Sequence, residues 1–548
     1  MSQKQSAYPS APTDLAKTLL AHLLRGACVI LITLFLLLVI YELTTRPAEI
    51  EGLFSIPGEW PIVGHLYQVL DNPSLVFQVW AQKYHRPIFQ IRLGVRRVVV
   101  VNSYNEVVNL WINHSCQNNS RPVHYTFHGL VGSFQKLTIG STPACVSFTK
   151  KKKVLSEQLH RRSIESRIPI IDKEANRAIK RLLMDEIGPD RDLYRHLQCF
   201  VLGCIVSMGY GIKLDCFGKD RALCDEIISN EADIIRMRSP ISNLQDSVPL
   251  LRLFPTLTNG IVARRCGARR DVYMNTLHER LLMGMIQGSN ECASSIVGTI
   301  TLEKHLNRLK DQEIGSLCLT LVSAGLDNTS LNLSYLLGVL SQPQLGPRIQ
   351  STALAEILSN AKDDVVVAWE QSNQYEMTNL YVTALVLETL RHFTVLPLSL
   401  PRATTKPIHH HQKFTLPAQT ELLMNAYAAN HDCEIFQDAQ AFAPERWIDD
   451  EKHAIKAVPR TYQHFAFGAG SRMCAGHNLA IREMYMFVVR FLLLFEVGMP
   501  TSALMKMDPF ENNRNARATS FEPTPHHVEL KLRKLPGFEK LHCLVSNE

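Results

Sequence analysis

No C-x-x-C pair occurs among the 13 cysteines of this 548-residue chain, and their number is odd and their spacing irregular. A dense disulfide framework is thereby excluded, and reduced thiols in a cytosol-facing protein are expected. Cys199 and Cys204, five apart, fit no common metal spacing and read as core. A surplus of one charge is also missing: 58 Lys and Arg against 51 Asp and Glu leave +7, scattered along the chain. That is too mild for nucleic-acid binding, but it suits an anionic membrane surface or an acidic protein partner. With 46% hydrophobic and 20% charged residues, global disorder is excluded as well. Tryptophan is absent between Trp111 and Trp369.

What is present begins with one long apolar run. Gly26 to Tyr41 carries no charge, and Leu19 to Leu24 extends it backward, with His22 and Arg25 as polar interruptions. A bilayer span needs about 20 apolar residues. No small-residue cleavage site follows, so an uncleaved anchor is expected rather than a signal peptide. Lys4, Lys17 and Arg25 precede the run and Arg46 follows it, a small bias toward a cytosolic N-terminus. Ile56 to His65 (IPGEWPIVGH) is a Pro/Gly hinge. The expected division is a polar N-terminus over 1–18, a transmembrane anchor over 19–43, a proline-rich hinge over 44–66 and a catalytic domain over 67–548.

Ile88 to Asn102 reads as a β-hairpin turning at Leu93-Gly94-Val95. Arg121 to Gly140 is a Gly- and aromatic-rich loop of the kind that carries specificity. Lys150 to Lys153 opens a helix, as a solvated face or as a contact for an anionic group. Helices interrupted by prolines are expected from Arg161 to Gly288, with Arg264, Arg265, Arg269 and Arg270 at the surface of one of them. His409-His410-His411 invites a metal reading, but no further ligand converges by spacing, and adjacent residues of a strand point different ways. After Val497 strands and loops are expected to the end of the chain.

Three stretches carry chemistry. In Phe465 to Gly476 (FAFGAGSRMCAG), close-set glycines let backbone pass against a flat object, and Cys474 leaves a tight loop just before a helical pattern. Loop N–H groups and the helix dipole would favour its thiolate, which can serve as an axial ligand of haem iron. Glu313 to Ser341 reads as a long buried helix broken in the middle by Ala324-Gly325-Leu326-Asp327-Asn328-Thr329. Gly325 and the charge of Asp327 break local rules there, which marks a functional segment. Tyr381 to Phe393 is another buried helix, and Glu388 and Arg391 share one of its faces. Buried charges need partners, and Ala443-Pro444-Glu445-Arg446-Trp447 follows downstream.

The order F-G-x-G-x-R-x-C-x-G, A-G-x-D, E-x-x-R and P-E-R-W resembles the cytochrome P-450 family over about residues 55 to 540. The resemblance implies a mainly α fold with small β-sheets behind an N-terminal membrane-anchor helix. It implies haem b with Cys474 as axial iron ligand and Phe467, Gly468 and Gly470 in the cofactor loop. Arg402 and Arg472 would bind haem propionates, and Phe148 and Lys152 would stand in for the family's W-x-x-x-R. Glu388, Arg391 and Arg446 would form a structural lock beneath the haem. Gly325, Asp327, Asn328 and Thr329 would form the oxygen side, with the acid delivering protons during oxygen activation. Asn328 departs from the family's threonine, and Thr329, about 100° round the helix, is not its geometric substitute. Thr519 to Phe521 would reach back into the pocket.

Narrower likenesses, among them Thr138-Ile139-Gly140-Ser141 and Asn425 to Asp432 (NAYAANHD), resemble fungal hydroxylases of phenylacetate, phenols and cresols. They imply an NADPH-dependent monooxygenase of the endoplasmic reticulum membrane with a cytosolic catalytic domain. Electrons would come from a separate flavoprotein reductase, O2 would be the oxidant, and the substrate would be a small aromatic from catabolism or secondary metabolism. A reductase-independent haem-thiolate isomerase or dehydratase, motivated by Asn328, and a non-enzymatic haem-binding protein remain as alternatives.

Overall fold

The computed structural model describes residues 13–185, 192–306, 308–411, 413–449, 451–456 and 464–547. The expected polar N-terminus lies outside them as far as residue 12. A helix runs over Thr13–Thr45, and its segment Leu19–Thr45 is long and apolar enough to cross a membrane. Its leucines and isoleucines stand free of the body, an arrangement unfavourable in water and suited to a bilayer.

The base of this helix is tied to the body by charge. Glu42 accepts from the Ile62 N–H at 2.6 Å and from Arg92 at 2.8 Å. Arg92 is buried and lies 3.5 Å from Glu59, which also faces Arg97 at 3.7 Å. The Pro/Gly stretch between them is held too: Trp60 and Gly64 exchange backbone bonds, and the His65 ring bridges the Ile56 carbonyl and the Arg92 N–H.

A four-stranded sheet follows. Ile88–Leu93 and Arg96–Val101 form the expected hairpin, with Leu93 opposite Arg96. Gly94 turns at φ +58°, where a Cβ would meet the Ser247 carbonyl at 1.9 Å. Arg96–Val101 pairs in parallel with Glu421–Met424, which pairs antiparallel with Arg402–Ala403. The last pairing brings Arg402 to the sheet edge beside the helical body.

The body is helical. Asp311–Leu340 is its central element, packed against Tyr194–Tyr210, Leu380–His392 and His477–Leu494. Apolar residues all round make it a core helix. The Leu380–His392 helix starts where Glu356 accepts from the N–H groups of Leu380 and Tyr381, at 2.8 and 2.7 Å.

Several expectations are corrected. The 121–140 loop contains a helical turn over Tyr125–Val131. Arg270 is fully buried and donates to the Val131 carbonyl, because the Gly260–Ile286 helix packs on that turn; Arg264 and Arg265 do stand at the surface. The chain ends in a helix, Phe538–Asn547, whose Leu541 and Val545 are buried, beyond the paired strands Phe495–Gly498 and Glu529–Leu532. Glu106 does converge on the histidine run: it lies 2.6 Å from His410, and His411 is close by. It comes from the Tyr104–Val107 helix, far from the histidine strand in sequence, so spacing could not announce it.

Candidate functional site

A cavity of about 310 Å³ lies between the Phe465–Gly476 loop and the middle of the Asp311–Leu340 helix. Leu321, Ala324, Gly325 and Asn328 are the accessible residues of that part of the helix and line the cavity. Their i, i+3, i+4, i+7 spacing turns one stripe of a buried helix toward the space. Thr329, although buried, also lines it. Asn328 donates back to the Ala324 carbonyl at 3.2 Å, so its carboxamide is held against its own helix. Gly325 does more than open a groove. A Cβ there would lie 2.7 Å from the Ile205 side chain, so the missing carbon lets the Tyr194–Tyr210 helix approach.

The opposite wall is the cysteine loop. The Phe465 N–H donates to Asn430 at 2.7 Å, Gly468 to the Phe465 carbonyl at 2.8 Å, and Cys474 to the Phe467 carbonyl at 3.0 Å. Gly468 and Gly470 both have positive φ. At Gly470 a Cβ would meet the Trp111 carbonyl at 1.9 Å, so that glycine serves close packing and does not line the cavity; Gly468, Phe467 and Cys474 do. The accessible sulfur of Cys474 faces the cavity, with protein around it on its other sides. Burial raises the thiol's pKa, and the Gly476 N–H lowers it by less. The anticipated preference for thiolate is therefore outweighed in the metal-free chain; coordination to a metal deprotonates such a thiol.

Along one edge of the cavity lie Arg121, Arg402 and Arg472, all buried. They are held by carbonyls: Arg121 by Gly140, Leu400 and Pro401, Arg402 by Asn118 and Ala469, and Arg472 by Asn119, Ile139 and Thr142. Nη2 of Arg472 has no partner, and the Phe148 ring lies 3.4 Å from its guanidinium. No carboxylate pairs with any of the three among the described residues. Desolvation, reinforced by their mutual repulsion, pulls Arg121 down to about 9 and Arg402 well below the usual range; desolvation brings Arg472 to about 10. A cluster of buried cations without an acid is complete only with an anion. A flat group with a metal over Cys474 and carboxylates at this edge fits the donor set.

The lysine run divides between its two readings. Lys150 and Lys153 point outward, whereas Lys151 is buried on the hydroxyls of Thr142 and Ser316. Lys152 lines the cavity and donates to the Ser471 carbonyl.

Asp327 is separated from the other residues of its segment. It lines a second cavity, of about 150 Å³, with Arg236, Arg514, Glu522 and His526. Burial, aided by Glu231 and Glu522, pushes its pKa up to about 7.

Glu388 accepts from both Nε and Nη2 of Arg391, at 2.9 and 2.7 Å, from Arg446 at 3.1 Å, and from the Trp447 indole and the Ala443 N–H, each at 2.9 Å. Sequence reasoning found all three charges of this cluster. It missed Arg121, Arg238 and Glu483 at the cavity; the only signal at Arg121 was a charge opening an aromatic loop, Arg238 ends an amphipathic helix like many surface charges, and Glu483 was a charge inside the apolar pattern after Cys474 that was passed over.

A thiol facing a glycine-opened core helix, with acid-free arginines at the rim between them, defines an enclosed site for an anionic, metal-bearing cofactor. The chain belongs to the cytochrome P450 family: the family model matches residues 55–520. It is thus a monooxygenase of that family, which works with haem, thiolate-ligated iron and O2. It is similar to phenylacetate 2-hydroxylase of Emericella nidulans, 37% identical over 500 residues that cover 90% of this chain and 93% of the relative. It is also similar to 3-hydroxyphenylacetate 6-hydroxylase of the same organism, 31% identical over 90% of this chain and 91% of the relative. The fold matches a solved zebra fish cytochrome P450 with a TM-score of 0.64 at 17% identity, covering 84% of this chain and all of that one.

Proposed function

We propose that the protein is a reductase-dependent haem-thiolate monooxygenase that hydroxylates a small aromatic compound, phenylacetate-, phenol- or cresol-like, in aromatic catabolism or secondary metabolism. The observation that carries this reading is the cavity itself, with Cys474 on one wall, Asn328 and Thr329 on the other and three acid-free arginines at the edge. Haem bound here supplies oxygen activation with electrons that come from NADPH through a separate flavoprotein reductase. Cys474 holds the iron, and Arg402 and Arg472, with Arg121, hold the propionates. Lys152 and Phe148 close the same edge. Gly325, Asn328 and Thr329 shape the oxygen side.

Asp327 moves protons. With a pKa of about 7 it can both take and release a proton near neutrality, and its cavity connects it to Glu522 and His526. Asn328 orders the polar contact on the other face of the helix. Glu388, Arg391 and Arg446 keep the floor of the site rigid. The hydroxylase names of the relatives support hydroxylation over a reductase-independent isomerisation.

The setting is the endoplasmic reticulum membrane, with one span over 19–43, a hinge over 44–66 and the catalytic domain, 67–548, facing the cytosol. Reductase access supports that orientation over the small charge bias before the span. Protease protection in intact microsomes tests it, and a protected catalytic body would reverse it. For the activity, the ferrous–CO spectrum is recorded and NADPH consumption with added reductase is followed over a panel of small aromatics. A thiolate-type band with product-linked consumption is expected; a thiolate band without turnover on any aromatic would overturn the reading.

A further inference from the structure

A fourth arginine lines the cavity besides the three at its edge. Arg238 caps the C-terminus of the Arg221–Met237 helix and lines the cavity. Its neighbour Arg236 has two acids, Asp233 at 3.1 Å and Glu522 at 2.7 Å. Arg238 has none among the described residues. Its Nε and Nη2 are shut off from solvent and lack any hydrogen-bond partner. Its one described contact is the face of Phe127, 4.9 Å from the guanidinium carbon.

Arg238 is also electrostatically distinct from the propionate edge. Arg121, Arg402 and Arg472 act on one another, whereas the charges acting on Arg238 are Glu231, Arg270, Asp327 and Tyr273. Arg238 and Arg121 do share the lining of one smaller pocket, of about 30 Å³, with Phe127 and Leu400. The walls beside it are apolar, with Ile235 one turn earlier in its own helix and Ile205, Met208 and Leu321 across the space. An unpaired, desolvated guanidinium at the end of an apolar cavity is unfavourable until an anion meets it. Its Nη1, the guanidinium nitrogen that protein does not enclose, can donate a charge-assisted bond to a carboxylate in the cavity.

We propose that Arg238 anchors the carboxylate of the substrate, and that the substrate is accordingly an aromatic acid whose ring rests on the apolar wall. This rests on the cavity being the substrate site of an aromatic hydroxylase, and it selects an arylacetate-type acid over a neutral phenol or cresol. A phenol stays neutral at physiological pH, with a pKa near 10, and leaves the guanidinium unpaired.

The test is calorimetric titration of the full-length, haem-loaded protein with phenylacetate, phenylacetamide and p-cresol, in wild type, Arg238→Gln and Arg238→Lys. Haem content is measured in each. Wild type is expected to prefer the acid to the amide by about 30-fold or more, the scale of a buried charge pair. In Arg238→Gln that preference collapses, in Arg238→Lys part of it survives, and haem content matches wild type. If wild type binds cresol but takes acid and amide alike, the anchor is wrong and the aromatic reading stands. A preference that survives in Arg238→Gln, or haem lost in its place, also overturns the anchor. If no aromatic binds the loaded wild type, the aromatic reading falls and takes the anchor with it. Should Arg238→Gln fail to fold, the wild-type acid-to-amide ratio and Arg238→Lys decide.

Discussion

Of the arginine clusters buried among the described residues, two are built on opposite plans. Arg391 and Arg446 converge on Glu388, and every oxygen of that carboxylate is used by charged or polar donors. Arg121, Arg402 and Arg472 converge on no acid and are held by carbonyl oxygens. The first cluster is electrically closed within the chain; the second is closed only by something the chain does not encode. A buried ion pair complete in itself is structural, whereas a buried group of like charges is a binding site.

The comparison breaks most severely at Glu388. Glu388→Gln leaves Arg391 buried beside a neutral amide, a loss of roughly 3–5 kcal/mol. Little folded, haem-loaded protein is expected in expression trials, and a wild-type yield would refute the closed-cluster account. Cys474→Ser should instead fold, with an unchanged far-ultraviolet circular dichroism spectrum. It should lose the thiolate-type ferrous–CO band and fall to background turnover. Arg402→Leu and Arg472→Leu probe the open cluster. Each should weaken haem retention by about 30-fold or more, while the unfolding midpoint of the haem-free protein does not drop. A drop there would mean that these arginines are structural after all.

Asp327 is an intermediate case: Arg238 and Arg236 act on it, but among the described residues no cation pairs with it. Its folded pKa, about 7, lies above the ordinary 3.8, so the folded state binds the proton more tightly. Its contribution to stability is complete below pH about 4 and declines as pH rises to about 7. The thermal midpoint of wild type should therefore fall between pH 5 and pH 8 by a few degrees more than that of Asp327→Asn. Equal falls would show that Asp327 titrates normally. The smallest effect is expected at Asn328→Thr: a change of about twofold in product formed per NADPH consumed, with binding unaltered. No change in that ratio would remove Asn328 from proton handling.

The closed cluster was legible in the sequence because charges inside apolar helical patterns have no bland explanation. Glu388 and Arg391 lie one turn apart, and the P-E-R-W segment supplies their partners. The interrupted Asp311–Leu340 helix was legible for the same reason, and the cysteine loop through its close-set glycines around one thiol. Arg121, Arg238 and Arg270 were not, since nothing local distinguishes a buried arginine from an exposed one. Their burial is decided by segments more than a hundred residues away, such as Leu400 against Arg121 and Val131 against Arg270. The Glu106–His410 contact is hidden in the same way. The division of labour between Asp327 and Asn328 follows from a rotation of about 100° per residue, but which cavity each would face depended on the packing of neighbouring helices.

The joint at Glu42 has a mechanical meaning. A chain segment rich in proline and glycine suggests a tether on which the body swings, yet Glu42 grips Ile62 and Arg92, and Glu59 stands against Arg92 and Arg97. These bonds step the apolar helix like a mast in a hull. Were that helix set in a bilayer, any tilt or turn of it would be transmitted to the whole body. The entrance of the cavity would accordingly keep one bearing relative to the membrane surface.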